Sequence, residues 1–177
     1  MKRIQRLLAV VLSASILNIS AIHSAQAALV PTEEAARLAT IAARVLQESV
    51  LPGEKITEPH QASRFLQLKL AHQEREHFAA LFLDNQHRVL RFEQLFLGTI
   101  NEVSVYPRVV VQSALACNAA AVIFAHNHPS NSSEPSASDR RITAKLLSAL
   151  SLIDVRVLDH FVVTRTEVVS MAELGLI

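Results

Sequence analysis

Two histidines one residue apart, His126 and His128, open the stretch HNHPSNSSEPSASD, and an aspartate, Asp139, closes it. On a strand the side chains at i and i+2 share a face, so both imidazoles can aim at one point if the strand persists to its end. A carboxylate brought back by the following loop would complete a His2Asp donor set. Three protein ligands with one position left for water is the composition of a catalytic zinc site, whereas a structural site is closed by four. Each piece also has a plainer reading. An HxH pair is often a surface pair, and SxxD at a helix start is a capping arrangement in which Asp139 serves backbone amides. The pieces gain weight together, at the mouth of an apolar strand in a chain with a single cysteine, Cys117. One cysteine allows neither an intramolecular disulfide nor a cysteine-only zinc cluster, so any metal falls to histidines and carboxylates. The letters HNH do not signal an HNH nuclease, whose name describes residues dispersed over a ββα motif.

The strand that must carry the histidines is AAVIFAH, a continuous apolar run of the kind buried on both faces. The next helix is expected from Ser136 over SASDRRITAKLLSALSLI, with Asp139 in its first turn and Ile142, Leu146, Ala149 and Leu150 as its inward stripe. Upstream, FAALFLD and RVLRFEQLF read as neighbouring strands around the turn-like NQH, and NEVSVYP as a further extended piece. Pro107 opens a helix over PRVVVQSALACNA, with Val110, Val111, Ala114 and Leu115 at helical spacing. VRVLDHFVVT and EVVSM supply the last strands. Before all of these, Thr32 caps a packing helix with Leu38, Ile41, Ala42, Val45 and Leu46 on its apolar side. LPGEK ends it, and EPHQASRFLQLKLAHQ begins a second helix with Pro59 near its first turn and Ala62, Phe65 and Leu66 on one side. This order gives an α/β sandwich with a mixed sheet.

The chain of 177 residues has room for one domain with a real core. Residues 1–27 read differently from the rest: Lys2, Arg3 and Arg6, the apolar run LLAVVLSASILNISAI, then AQA, the layout of a secretory signal peptide. The run is interrupted by serines and Asn18 and is shorter than the ~20 apolar residues a spanning helix needs, so no stable membrane span is expected once the leader is removed. The expected division is a leader over 1–27, a helical segment over 28–58 and the main domain over 59–177. A genuine leader places the protein in the periplasm or outside the cell; otherwise it is cytoplasmic. Without those 27 residues, 14 Lys and Arg face 16 Asp and Glu, a net charge of −2. A mildly acidic domain with no basic stripe beyond Arg140, Arg141 and Lys145 is poorly suited to phosphate backbones, which disfavours nucleic acid as a partner.

The motif HNHP followed by SASD fits the HxHx7SxxD pattern of JAMM/MPN+ zinc metallopeptidases. The flanking text FLDNQHRVL, LFLGTI, YPRVVVQSAL, NAAAVIFAHNHPS, EPSASDRRIT and DVRVLDHFVVT resembles the RadC family over about residues 60–177. The resemblance implies a cytidine-deaminase-like three-layer α/β/α sandwich and a Zn2+ held by His126, His128 and Asp139. It also implies an upstream glutamate. From the residues alone Glu76 competes with Glu74, Asp84 and Glu134, of which Glu134 sits in the loop itself; the resemblance selects Glu76 as general acid/base and Ser136 as hydrogen-bond donor to an oxyanion. His160, in LDHFVVT, is either a partner of the site or a satisfied core histidine.

Three features depart from the family pattern. Asn131 stands where the family loop commonly has glycine, and asparagine tolerates a left-handed backbone better than most residues. The helix-hairpin-helix segment of longer relatives is not apparent, and the leader is foreign to the family. The function implied is hydrolysis of a peptide or isopeptide bond in an unnamed peptide or protein substrate. The alternatives are a DNA-repair or mobile-element accessory module of the RadC type, and a silent scaffold, which the filled ligand positions disfavour.

Overall fold

The computed structural model describes residues 37, 38, 41, 52–98 and 104–177. The leader over 1–27, most of the first helix and the first part of NEVSVYP lie outside them. Residues 1–44 and 45–177 form separate compact units. Of the first unit, Arg37, Leu38 and Ile41 are helical, with Leu38 and Ile41 exposed, so the packing face expected there is not seen at these two positions.

The second unit runs α1 (Pro59–Leu70), β1 (His77–Leu83), β2 (Val89–Leu97), α2 (Pro107–Ala116), β3 (Ala121–Asn127), α3 (Ala137–Ser151), β4 (Arg156–Val163) and β5 (Val168–Ser170). The five strands form one sheet in the order β2-β1-β3-β4-β5. Only β3 and β4 are parallel, and they are the pair joined by a helix, as a parallel pair requires.

Both faces of the sheet are covered. Ala79, Leu81 and Leu83 of β1 and Ala121, Ile123 and Ala125 of β3 pack with Phe65, Leu66 and Leu70 of α1. The alternate residues, Phe78, Ala80 and Phe82 with Val122 and Phe124, pack with Val110 and Ala114 of α2 and Leu146 and Leu150 of α3. The period-2 alternation thus feeds two cores, which is why β1 and β3 read as continuous apolar runs. By the same parity His126, two residues after Phe124, faces the side of α2 and α3.

Most expected elements fall where periodicity puts them. The differences are local. Ser104–Tyr106 carry no regular structure. On α3 the buried stripe is Asp139, Thr143, Leu146 and Leu150, with Ile142 and Ala149 half-buried. Two polar residues, Asp139 and Thr143, therefore occupy places in the core stripe. Residues 52–58 also pack onto the sheet: Gly53 N–H donates to the Val89 carbonyl (2.7 Å), Lys55 bridges Arg88, and Ile56 joins the core. Gly53 makes that turn with φ +90°, a conformation glycine adopts without steric cost.

Candidate metal centre

His126 is the penultimate residue of β3, and His128 lies one residue beyond the strand. The β3–β4 pairing continues past the strand end, because the His128 N–H donates to the Val163 carbonyl (2.9 Å). That contact keeps the i, i+2 relation intact, and the two Nε2 atoms stand 3.0 Å apart. Asp139 comes from the first turn of α3, with Oδ1 at 3.3 Å from His126 Nε2 and Oδ2 at 3.6 Å from His128 Nε2. Glu76, at the entry of β1, completes a group whose ligand atoms all lie within 4.8 Å of one another. Glu76, His126 and Asp139 are buried, and His128 is half-buried.

The distances suit a small cation. Ligand atoms at ~2.0–2.1 Å from a tetrahedral zinc lie roughly 3.3–3.4 Å from each other, close to the 3.0, 3.3 and 3.6 Å found here. The proton positions suit it too. His128 Nδ1 lies 2.6 Å from the Ser132 carbonyl, an acceptor without a proton, so Nδ1 carries the hydrogen and Nε2 presents a lone pair. In its neutral form His128 thus turns an accepting Nε2 to the point where His126 Nε2 and the Asp139 carboxylate also converge. A metal ion or a shared proton can bridge these atoms.

The electrostatics agree. The Asp139 carboxylate raises the proton affinity of His128 above the ordinary histidine value. Asp139 is held well below the usual carboxylate range: burial alone would raise it, and hydrogen bonding to His126, His128 and Ser136 overcomes that. These four residues could hold a metal ion.

Ser136 is the N-cap of α3 and forms a reciprocal pair with Asp139. The Ser136 N–H donates to Asp139 Oδ2 (2.7 Å), and the Asp139 N–H donates to Ser136 Oγ (3.1 Å). The capping reading of SxxD is therefore correct, and it coexists with the ligand-like one: the cap orients the carboxylate whose other oxygen faces His126. Ser136 Oγ accepts in this pair, so its own proton is available to a third group.

Of the rivals to Glu76, Glu74 is exposed, and Asp84 sits at the far end of β1, accepting from the Gln86 and Arg88 N–H groups (both 2.8 Å). Glu134 lines the same cleft of about 530 Å³ but is exposed and outside the four-residue group. Asn131 has φ +63°, as its replacement of a glycine led us to expect, and its Oδ1 accepts from the Arg165 N–H (3.0 Å).

Asn127, the middle letter of HNH, was missed by sequence reasoning. It alternates away from the two histidines, and its Oδ1 accepts from the His77 N–H (2.8 Å) while Nδ2 donates to the carbonyls of Arg75 (3.0 Å) and Gln73 (3.3 Å). Three bonds from one side chain thus fasten the segment that carries Glu76. The other side of that segment is held by Gly98, whose N–H donates to the Glu76 carbonyl (2.8 Å) and whose carbonyl accepts from Arg75 Nε (2.8 Å).

Residues 56–176 match the RadC-like JAB domain family. The chain belongs to the RadC family. A UPF0758 protein of Methylibium petroleiphilum is 54% identical over 81% of the chain and 65% of its own length. One from Vibrio cholerae is 54% identical over 76% of the chain and 84% of its own length, and one from Tolumonas auensis 56% over 75% and 59%. The chain thus spans less than two thirds of the Methylibium and Tolumonas relatives. The five-stranded mixed sheet flanked by helices is the architecture expected of this family. Among the described residues, no helix is long and apolar enough to cross a membrane.

Proposed function

We propose that this RadC-family protein is a zinc-dependent hydrolase of peptide or isopeptide bonds. The observation that carries the reading is the convergence of His126 Nε2, His128 Nε2 and the Asp139 carboxylate beside the buried Glu76, in the wall of an open cleft. A zinc ion on those three ligands would supply Lewis acidity, polarising the scissile carbonyl and acidifying the attacking water.

Glu76 accepts the proton of that water and passes it to the leaving amine, a task for a carboxylate held near the reacting atoms by its backbone. Ser136 directs its hydroxyl proton to the oxyanion, since its oxygen is already anchored by the Asp139 N–H. The cleft is open to a chain-like substrate, with Tyr106, Ile142 and Pro129 as apolar wall and Arg141 and Lys145 as cations on the α3 side.

The test pairs metal analysis with hydrolysis of a quenched peptide library that includes isopeptide-linked members. Near-stoichiometric zinc and cleavage in the parent, both lost in His126→Ala, are expected. Equal metal in the two proteins would sink the reading. The same two cations on the cleft wall favour a second reading, a DNA-associated accessory role. A titration with duplex DNA at rising salt decides it, and no binding at low salt removes it.

A further inference from the structure

A chain of hydrogen bonds runs from His126 away from the candidate metal and into the core. His126 Nδ1 lies 2.8 Å from His160 Nε2, His160 Nδ1 lies 2.6 Å from Thr143 Oγ1, and Thr143 Oγ1 lies 2.6 Å from the Asp139 carbonyl. The chain therefore starts on a strand-borne ligand, crosses β4 and ends on the backbone of the helix-borne one. His160 and Thr143 are fully buried. His160 lies edge-on to the rings of Phe78 and Phe124 at 5.3 and 6.0 Å, with no carboxylate in contact through its ring nitrogens.

The direction of this chain follows from its far end. Two oxygens 2.6 Å apart require a proton between them, and a carbonyl has none, so Thr143 donates to Asp139. Its single proton is then spent, and the contact with His160 Nδ1 must be filled by a hydrogen on that nitrogen. A neutral imidazole with Nδ1–H has an accepting Nε2, so the hydrogen between the rings belongs to His126 Nδ1. His126 Nε2 is left with its lone pair, facing His128 and Asp139. We propose that His160 and Thr143 are positioning residues that set the tautomer and ring orientation of His126, reading its proton position off the Asp139 carbonyl. His128 is set in one step by the Ser132 carbonyl; His126, deeper in the sheet, has no carbonyl in reach of Nδ1 and uses two side chains to reach one.

This inference rests on the metal-centre reading, and the experiment separates the two. His160→Gln keeps an acceptor for His126 and a donor for Thr143, whereas His160→Leu keeps only bulk; Thr143→Ser and Thr143→Val form the same contrast one bond further out. Zinc affinity is measured by chelator competition on each protein, folding by circular dichroism, and the His126 tautomer by nitrogen chemical shifts in the metal-free protein at alkaline pH. Expected are Nδ1–H on His126 in the parent, a loss of ~10–100-fold in zinc affinity for His160→Leu and a smaller loss for Thr143→Val, with near-parental affinity in the Gln and Ser variants. A folded His160→Leu that binds zinc like the parent, a Gln variant no better than Leu, or Nε2–H on His126 in the parent overturns the proposal. If His160→Leu fails to fold, the Thr143 pair decides by the same criteria. A parent that binds no zinc yet carries Nδ1–H on His126 refutes the metal reading and leaves the tautomer control in place.

Discussion

Replacing Asn127 by alanine should release Glu76, the proposed general base, without touching the candidate ligands. Asn127 is 2% exposed, and its amide binds the His77 N–H and two of the carbonyls just before it. The half-buried donor left unsatisfied costs ~1–3 kcal/mol, and the two carbonyls, nearer the surface, less, so a loss of about 2 kcal/mol is expected. Gly98 still holds the Glu76 carbonyl, which limits the damage to a displacement of the segment. A displacement near 1 Å of a catalytic group costs on the order of 100-fold in rate, so turnover should fall ~10–100-fold. Zinc content should stay at the parental level, because His126 and His128 alternate to the other side of the chain. Denaturant unfolding gives the stability, amide exchange at His77 gives the local release, and metal and turnover are read on the same samples. Parental protection of the His77 amide with parental stability would refute the argument, as would loss of zinc from a folded variant.

Glu76→Gln should keep zinc and fold while lowering hydrolysis ~10²–10⁴-fold; full activity there together with loss in Glu134→Gln would transfer the role to the loop carboxylate. Asp139→Asn should lower zinc affinity and stability together, since it removes the charge and leaves one acceptor oxygen where the Ser136 N–H and His126 use two, which chelator competition and thermal unfolding measure. Zinc affinity of the parent should fall on acidification once pH passes below the raised value of His128, because the metal must displace that proton; affinity flat down to pH 5 contradicts this. Burial holds His160 neutral in the fold while the unfolded chain protonates it, so the metal-free parent loses stability as pH falls through the ordinary histidine value of ~6.5. His160→Gln removes that titration and should lose less between about pH 7 and 5, as read by denaturant midpoints. Asn131→Gly should keep the turn and lose the tethers to Arg165 and Thr166, while Asn131→Val should cost ~1–3 kcal/mol at φ +63°, again by denaturant unfolding.

The residues whose role is a direction in space were legible in the sequence. His126 and His128 are named by a two-residue period, Asp139 by its place in a helix's first turn, and the two cores by uninterrupted apolar runs in β1 and β3. Of the residues whose role is a hydrogen bond between distant segments, the sequence offered only His160, and that as one of two readings. Asn127 and His77 are 50 positions apart, and His160 and Thr143 are 17, on elements whose adjacency follows only from the strand order. Thr143 left one trace, being four residues after Asp139 on α3 and hence on its buried face, yet the apolar stripe of Ile142, Leu146 and Ala149 masked it.

The same division explains why two readings of one motif proved compatible. SxxD was set out as either a cap or a ligand, and the structure uses the two carboxylate oxygens of Asp139 differently: Oδ2 accepts the Ser136 N–H and Oδ1 turns to His126. A cap fixes a carboxylate against a helix end whatever else it does, and a ligand must be fixed before the ion arrives. His126 and His128 obey the same requirement, each held through Nδ1 so that Nε2 is committed. Because every candidate ligand is oriented by a group outside the cluster, alanine at an outer residue such as Asn127, Thr143 or His160 should separate functions that alanine at a ligand removes together.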